Sequence, residues 1–361
     1  MFNAEVIVGG FANVKAVKLG RAHPLVLQTM WKDRLEENIT RGARFKKTIS
    51  VIQRLEEFGC GLLRFAVPDM ESAKLLGALA SRVEMPLVAD IHFDYKIALK
   101  CLDYKIAKIR INPGNIGSKE KIRAVLEKCG EKNAAVRIGV NAGSLPLDLR
   151  AELRNKTITA PDALVKAAER ELAIFEENNF KNVVVSMKAS SVSDTIQANR
   201  LFAARYKIPL HIGLTEAGPL IAGVARSAAA LYGLLKDGVG DTVRVSLSDS
   251  MINELVAAKE IAMAAGRTGG IRVISCPRCG RCSFDTHAFT EKISGWCYTM
   301  NKNATVAVMG CAVNGPGEAR GADIGITGAG SKVILFRHGA ILKTVALNEA
   351  EAAFRKALEE L

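Results

Sequence analysis

Five of the eight cysteines lie in one late stretch of the chain, where their spacing suits metal or redox chemistry. Cys276 and Cys279 form a C-x₂-C pair that brings two thiolates within reach of one metal centre, and Cys311 follows a predicted strand. In a reducing compartment such a cluster indicates metal or redox chemistry before disulfides. A structural zinc site would normally add a second C-x₂-C pair or histidines, and neither lies near Cys311. Structural zinc is therefore one alternative, and iron is the other.

Iron fits the spacing in two ways. The run Cys276-x₂-Cys279-x₂-Cys282 has the spacing of part of a ferredoxin motif. The separated Cys311 and the Gly-Pro-Gly loop that carries Glu318 favour a different set of ligands. Three thiolates and a carboxylate would leave one iron with an exchangeable oxygen ligand, open to a substrate oxygen. Such a site suits Lewis-acid and redox chemistry together.

Five apolar segments that we predict as buried strands carry a cation at or near one end. A charge in a strand buried on both faces is costly unless it is paired or solvated in a cavity. Pairing is one explanation, but few acids, chiefly Asp90 and Glu216, occupy equivalent positions. Convergence on a phosphate or diphosphate is the other, since arginine binds such anions through two hydrogen bonds. The cations are Arg64, Arg110, Arg137, Lys188 and Arg244, and the neighbouring polar groups are Asn112, Asn141 and Ser246.

Titratable groups follow two of these strands. Asp90 and His92 lie at the end of one and Glu216 at the end of another, so all three are candidate acids, bases or hydroxyl-binding groups. A histidine beside an aspartate is often only a structural pair, which leaves a direct catalytic role for His92 open. No comparable context surrounds the other histidines, which are His23, His211, His287 and His338.

The elements that must position these groups repeat as βα units. Short runs rich in Val, Ile and Leu recur, and helical segments follow all but the first of them. Eight units in about 250 residues predict an α/β fold, a closed (β/α)₈ TIM barrel rather than an open sheet. No glycine-rich dinucleotide motif follows the first strand. The predicted strands are 24–29, 62–67, 86–91, 106–112, 135–140, 182–187, 209–214 and 241–247.

The barrel pattern ends before a glycine-rich linker at residues 266–270. We therefore predict a TIM-barrel substrate-binding domain over residues 1–265 and a small α+β domain with the late cysteines over residues 271–361. The second domain has a predicted helix near 290–299, a strand over 304–309, a hairpin turning at His338-Gly339 and a final helix.

Composition excludes several classes of protein. The chain of 361 residues is 49% hydrophobic and 24% charged, as in an ordinary globular protein. No apolar run reaches the about 18 residues needed to span a membrane, and no signal peptide is visible, so we predict a cytoplasmic protein. The net charge of +13 favours anionic partners. Nucleic acid is disfavoured, because only 6% of residues are aromatic and the cations lie on barrel strands.

Several motifs together resemble the bacterial 4-hydroxy-3-methylbut-2-enyl diphosphate synthase family, the iron-sulfur enzymes of the non-mevalonate isoprenoid pathway. The shared stretches are VADIHFDYKIAL, RINPGNIG, RIGVNAGSL, KAS, GLTEAG, GDTVRVSL, CPRCGR with the following FD, and MGCAVNGPGEA. No insert separates the barrel from the cysteine domain, so the chain is similar to the compact two-domain form.

The resemblance implies an oxidoreductase for the reductive ring opening and dehydroxylation of 2-C-methyl-D-erythritol 2,4-cyclodiphosphate, with two electrons passing through a [4Fe-4S] cluster. It implies that Cys276, Cys279, Cys311 and Glu318 hold this cluster. It places Asp90, His92 and Glu216 around the carbon skeleton as catalytic residues, and it makes Glu318 catalytic as well as a cluster ligand. The residues that it implies for substrate binding are Arg64, Arg110, Arg137, Asn141, Lys188, Arg244 and Ser246.

Two kinds of partner are expected. Reduced ferredoxin or flavodoxin is the expected electron donor, since the chain has no nucleotide-cofactor motif and such carriers are typically acidic. We also expect a head-to-tail homodimer, as the resemblance implies. The last barrel helix ends opposite the substrate site, and a five-residue linker reaches at most about 17 Å, so each cysteine domain would cap the other chain's barrel.

The chain departs from the family in two places. Trp31-Lys32-Asp33 replaces a turn usually rich in Thr and Asn, so no substrate contact is carried over to that loop. Cys282 stands where the family usually has no thiol, and we expect a bystander because the ligand set is complete without it. The alternative functions are a phosphate-binding barrel lyase or transferase with a structural zinc module, and a basic nucleic-acid-binding protein.

Overall fold

The computed structural model describes residues 2–36, 39, 42–312 and 315–361. The chain divides into two compact units, residues 1–268 and residues 269–361. Among the described residues, no helix is long and apolar enough to cross a membrane.

The first unit begins with an antiparallel hairpin of two short strands, β1 (Val6–Val8) and β2 (Val17–Leu19). Its buried side chains pack on residues at the beginnings of the barrel strands, which are Leu62, Val88, Ala107, Ala135 and Val184. The hairpin therefore closes the amino-terminal end of the barrel. The sequence pattern does not predict it, because strands of three residues are too short to show a period.

Eight parallel strands form the barrel itself. They are β3 (Val26–Met30), β4 (Cys60–Ala66), β5 (Leu87–Asp90), β6 (Lys108–Ile111), β7 (Ala135–Asn141), β8 (Val183–Lys188), β9 (His211–Ile212) and β10 (Thr242–Val243). Hydrogen-bonded neighbours follow the order β8-β7-β6-β5-β4-β3-β10-β9, and a parallel bridge from Val185 to Leu210 joins the two ends. The predicted (β/α)₈ barrel is confirmed, and each predicted strand overlaps an observed one.

Helices form the outer layer of the barrel. They are α1 (Gly42–Glu57), α2 (Met70–Ala80), α3 (Tyr95–Cys101), α4 (Pro113–Ile116), α5 (Lys119–Glu131), α6 (Leu147–Arg154), α7 (Ala160–Glu177), α8 (Val192–Arg205), α9 (Leu220–Lys236) and α10 (Met251–Ala264). The sequence pattern does not predict α1, because that helix buries only Thr48, Ile52 and Leu55 and its apolar stripe is narrow.

The second unit is a five-stranded sheet with helices. The strands are β11 (Ile271–Ser275), β12 (Ala304–Met309), β13 (Ile324–Ala329), β14 (Lys332–Arg337) and β15 (Ala340–Ala346), in that order across the sheet. The first three strands run parallel, and the last two pair antiparallel. The helices are α11 (Thr286–Thr299), α12 (Gly315–Glu318) and α13 (Ala350–Glu359). The predicted strand over 304–309 and the hairpin at His338-Gly339 are confirmed.

Candidate active site

A cavity of about 230 Å³ opens at the carboxyl ends of the barrel strands, the face at which (β/α)₈ barrels place their active sites. Every barrel residue singled out for the site from the sequence lines this cavity except Asn112 and Glu216. The assigned lining residues are Arg64, Asp90, His92, Arg110, Arg137, Asn141, Lys188, Arg244 and Ser246. The others are Met30, Gly139, Ser186 and Thr215.

Asp90 is the carboxylate that orients two of the cations. Its Oδ1 accepts a hydrogen bond from Arg110 Nη1 at 3.1 Å, and its Oδ2 lies 3.6 Å from Arg64 Nε and 3.7 Å from His92 Nε2. Burial alone would raise the pKa of Asp90, but the nearby His92 ring and the surrounding arginines outweigh it and hold the pKa well below its usual range. Asp90 therefore stays ionised and does not supply protons.

Glu254 of α10 pairs with a third cation. Its carboxylate accepts hydrogen bonds from Arg244 Nη2 at 3.2 Å, from Thr29 Oγ1 at 2.7 Å and from Lys32 Nζ at 2.8 Å. Burial would raise the pKa of Glu254, but Arg244 and the other donors lower it below its usual value. The loop that departs from the family turn is thus tied to the barrel through Lys32. Pairing with acids explains Arg64, Arg110 and Arg244, which the sequence had left open.

Arg137 and Lys188 differ from these three cations. Among the described residues, no carboxylate lies within ion-pair distance of either side chain. Arg137 is 2% exposed, and its Nε and Nη1 have no hydrogen-bond partner in the described part of the chain. Burial first, and then the neighbouring arginines, lower the pKa of both groups well below the usual values. Buried charges without a counter-ion are costly, and Arg137 also has donors without acceptors, so this pair favours a bound anion.

The first glycine of the RIGVNAGSL motif, Gly139, leaves room for the side chain of Arg110. A Cβ at this position would lie 2.6 Å from Arg110 Nε and 2.8 Å from Arg110 Nη2. The guanidinium of Arg110 can lie across β7 only because residue 139 has no side chain. Substitution there would displace Arg110 from Asp90.

Glu216 is exposed and does not line the cavity. It has φ of 54° in the loop after β9, directly beyond Thr215, which does line the cavity. The structure therefore brings together Asp90 and His92 but not Glu216.

Two residues that sequence reasoning missed contact the site residues directly. Glu254 lies on the otherwise apolar buried face of α10, so a lone glutamate there was the available signal. His211 lies inside a strand, and its Nε2 is 3.2 Å from Lys188 Nζ. Neither partner is visible from sequence spacing, because strand register and helix docking bring them together.

Cys276 and Cys311 follow neighbouring parallel strands of the second unit. Cys276 comes directly after β11, and its N–H donates to Val308 O of β12 at 2.9 Å. Cys311 comes two residues after β12, at the same edge of the sheet. Cys279 is exposed in the loop between β11 and α11, and all three are free thiols. The three thiols thus come from two loops at one sheet edge.

Cys282 lies near the same edge. A Cβ on Gly310 would be 2.5 Å from Cys282 Sγ and 3.7 Å from Cys276 Sγ, so both sulfurs lie against this glycine. The thiol of Cys282 donates a hydrogen bond to Phe284 O at 2.8 Å. Cys282 therefore belongs to the cysteine region by position, although it already has a backbone partner.

Glu318 ends α12, a short helix whose Gly315 N–H donates to Cys311 O at 3.0 Å. The side chain of Glu318 lies outside the described residues. Among the side chains that are described, no group of three or more His, Cys, Asp or Glu is placed to hold a metal. The donor types nevertheless fit an iron-sulfur group, because the thiols are free and share one edge of the sheet.

Fold and site together define a class: a (β/α)₈-barrel protein with a cavity lined by cations at its strand ends and free thiols on a separate α+β unit. Two family models match the chain, the GcpE TIM-barrel domain over residues 11–259 and the GcpE protein C-terminal domain over residues 272–360. The chain belongs to the GcpE family.

Relatives at 44–49% identity carry the name 4-hydroxy-3-methylbut-2-en-1-yl diphosphate synthase (flavodoxin). The Treponema denticola protein is 49% identical over 95% of this chain and 92% of its own length. The Treponema pallidum protein is 46% identical over 99% of this chain and 91% of its own length. The Thermodesulfovibrio yellowstonii protein is 44% identical over 94% of this chain and 93% of its own length. The family resemblance is confirmed. A dihydropteroate synthase structure from Coxiella burnetii, with 11% identity and a TM-score of 0.46 over 73% of this chain and 99% of that one, is too remote to support an argument.

Proposed function

We propose that this chain is an oxidoreductase that converts 2-C-methyl-D-erythritol 2,4-cyclodiphosphate into (E)-4-hydroxy-3-methylbut-2-enyl diphosphate. One carbon–oxygen bond to phosphate breaks, the C3 hydroxyl leaves as water, and a carbon–carbon double bond forms. Two electrons and one proton are consumed when the substrate dianion becomes a product trianion. The relatives' shared name supports this reaction. Within the chain, the observation that carries it is the surplus of buried cations in the barrel cavity, where Arg137 and Lys188 have no described carboxylate partner.

The barrel residues bind the diphosphate and stabilise the phosphate oxygen that is released when the carbon–oxygen bond breaks. Asp90 fixes Arg64 and Arg110, while the unpartnered donors of Arg137 supply hydrogen bonds to phosphate oxygens. Negative charge grows on the phosphate as the carbon–oxygen bond breaks, and donors already in place stabilise it without rearrangement. Asn141, at the cavity wall, supplies a neutral hydrogen-bonding group.

His92 is the group best placed to move a proton at the carbon skeleton. Its side chain is 53% exposed at the cavity, with Nε2 3.7 Å from Asp90 Oδ2 and 3.4 Å from Arg110 Nη1. The Asp90 carboxylate orients the ring toward the cavity. Glu216 is the second candidate, since it lies one residue beyond Thr215 of the cavity wall.

In the second unit, Cys276, Cys279, Cys311 and Glu318 would hold a [4Fe-4S] cluster. When bound, such a cluster supplies electrons one at a time and a Lewis-acidic iron. Reduced flavodoxin or ferredoxin delivers the electrons, and the net charge of +13 favours an acidic carrier. Flavodoxin is the donor that the relatives' name contains.

We include in the proposal a cytoplasmic head-to-tail homodimer in which each cysteine unit caps the partner's barrel. Exposed apolar side chains surround the carboxyl end of the barrel, and such surfaces mark protein contacts. They are Met70, Phe93, Leu147, Leu220 and Ile221, each in a loop or a first helical turn that follows a barrel strand. Mixing inactive Arg110→Ala protein with inactive Cys276→Ser protein tests this arrangement. Restored turnover supports it, and a fully active monomer contradicts it.

The reaction is tested by anaerobic purification, followed by iron and sulfide analysis and turnover with reduced flavodoxin. We expect coloured protein with about four irons and four sulfides per chain and product identified by mass spectrometry. Colourless protein with stoichiometric zinc and no turnover would overturn the proposal. That result would favour the barrel lyase or transferase with a structural zinc module.

A further inference from the structure

Lys188, His211 and Thr242 form a row of contacts that leads from the cavity into the barrel interior. Lys188 Nζ lies 3.2 Å from His211 Nε2, and His211 Nδ1 lies 2.6 Å from Thr242 Oγ1. The residues come from β8, β9 and β10, and His211 is directly opposite Thr242 in the register. Lys188 lines the cavity, whereas His211 and Thr242 are fully buried. The row therefore joins the anion site to the barrel core.

Gly213 fixes the position of the amine. A Cβ at residue 213 would lie 2.6 Å from Lys188 Nζ and 2.5 Å from Arg244 O. The amine thus occupies the space that a side chain directly after β9 would otherwise fill. Lys188 is 6% exposed, so its amine is not free to turn into solvent.

A proton on Lys188 would lie among like charges. Its charged neighbours from the packed strands are Arg64, Arg110, Arg137 and Arg244. Within the described residues, no carboxylate is in ion-pair distance of the amine. Burial first, and then these arginines, lower the pKa of Lys188, and burial together with Lys188 lowers the pKa of His211. The deeper Lys108 has a pKa lowered by burial and by Arg137, and its Nζ lies 3.4 Å from Gln28 Oε1.

We propose that Lys188 is the group that takes up a proton when the anion binds: it is a neutral amine before binding and an ammonium beside the bound diphosphate. This deepens the proposed function and rests on it, since the same cavity is involved. The proton passes from solvent to Nζ, because a nearby anion favours the charged form of an amine. His211 is a positioning residue that accepts an N–H from Lys188 at Nε2 and donates its Nδ1–H to the Thr242 hydroxyl.

Proton uptake makes anion binding depend on pH. If one proton is bound with the ligand, affinity falls as pH rises, by up to about tenfold per pH unit. The cyclic diphosphate has no group that titrates near neutral pH, so the proton belongs to the protein. Among the other groups that line the cavity, the arginines keep their charge and Asp90 stays ionised, which leaves His92 as the remaining titratable side chain.

Calorimetric titration tests this directly. The protein, purified anaerobically, is titrated with the cyclic diphosphate without reductant at about pH 8, in buffers of different ionisation enthalpy. We expect uptake of about one proton per bound ligand. Lys188→Arg keeps a permanent charge, so it should bind with almost no uptake. Lys188→Met should also bind the ligand without proton uptake. This second variant keeps the test valid if an arginine side chain does not fit in the space of Lys188.

His92→Asn is the matched control and should keep the uptake. His211→Gln, which retains an acceptor for the amine, should also keep it, whereas His211→Leu should weaken binding and reduce the proton count. Binding by the unaltered protein without uptake, or uptake that persists in Lys188→Met, would overturn the role of Lys188 and leave the proposed function intact. Failure of the unaltered protein to bind the cyclic diphosphate would overturn both.

Discussion

The barrel cavity and the cysteine region are built in opposite ways. The cavity takes its charged groups from the ends of buried strands, where Asp90 and Glu254 already hold three of the cations. In the cysteine region the thiols come from loops, Cys279 is exposed, and no described group of side chains is closed around a metal position. A cavity whose charged groups are already held in place can bind its ligand without rearrangement. Thiols on loops, by contrast, are brought together only when the metal binds.

Replacing a thiol should give the largest effect and should separate the two regions. For Cys276→Ser we expect loss of iron and a fall in turnover of at least about a thousandfold, because a cluster ligand is removed. Binding of the cyclic diphosphate to the barrel should stay within about threefold. Iron analysis, turnover and calorimetry measure the three quantities.

Cys101→Ala is the matched control for that experiment. Burial raises the pKa of the Cys101 thiol to about 12, so this cysteine in α3 is inert and its replacement should retain iron. If Cys276→Ser lost substrate binding together with iron, the barrel would not be prearranged and the contrast between the regions would fail.

Removing an unpartnered cation should affect binding and stability in opposite directions. Arg137→Met should weaken binding of the cyclic diphosphate by about 100-fold, since charge-assisted hydrogen bonds are lost. The same change should raise the free energy of unfolding, because a buried guanidinium with unpaired Nε and Nη1 is replaced by an apolar side chain. Calorimetry and urea unfolding measure the two effects.

Arg244→Met provides the comparison for Arg137→Met. It leaves the buried Glu254 without its main cation and should lower the free energy of unfolding by about 3 kcal/mol. If both variants changed the free energy of unfolding in the same direction, pairing with a carboxylate would not decide how a buried cation affects stability.

A carboxyl of α7 that contacts α4 predicts a pH-dependent effect of intermediate size. Glu171 Oε1 accepts the Gly114 N–H at 3.1 Å, and Oε2 has no partner among the described residues. Burial raises the pKa of Glu171 to about 7. A raised carboxyl pKa means that this group's contribution to stability is present below its unfolded pKa and is lost as pH rises toward 7.

Glu171→Gln should therefore stabilise the fold at pH 8 by about 1 to 3 kcal/mol and give little gain near pH 4.5. Urea midpoints measured at both pH values test the sign. A gain of the same size at both would show that ionisation of Glu171 is not the cause.

The smallest effect is expected for Cys282→Ser. Its thiol already donates to Phe284 O, and the proposed ligand set does not need it, so iron content and turnover should change less than about twofold. Glu318→Ala should greatly slow turnover while the barrel stays folded. Loss of the cluster spectrum in Cys282→Ser, with full activity in Glu318→Ala, would instead favour the ferredoxin-like run of cysteines.

The sequence predicts the barrel well because buried parallel strands appear as short apolar runs, and a cation inside such a run is conspicuous. Arg64, Arg110 and Arg244 were identifiable for that reason. Their partners were harder to find: Glu254 reaches the site from a helix after the last strand, and helix docking cannot be derived from spacing. His211 has no signal in its sequence context, because its contact with Lys188 depends on the order and register of strands.

The cysteine region shows the opposite limit. Motif spacing gives the ligand types, but the distances between loops depend on a sheet edge that no single motif encodes. The position of Cys282 against Gly310, on the same side as Cys276, follows from how two loops approach each other. Short elements with weak patterns, such as the β1–β2 hairpin and α1, are missed for the same reason: tertiary contacts stabilise them.

The hairpin that closes the amino-terminal end of the barrel has a consequence for synthesis on the ribosome. Val6, Val8 and Leu19 are made before their partners, which extend across the barrel strands to Val184. At about 5 to 20 residues per second, these apolar side chains wait roughly 10 to 30 s for their complete binding surface. The nascent chain therefore exposes these apolar side chains until β8 is translated, which makes the hairpin a natural site for chaperone binding during translation.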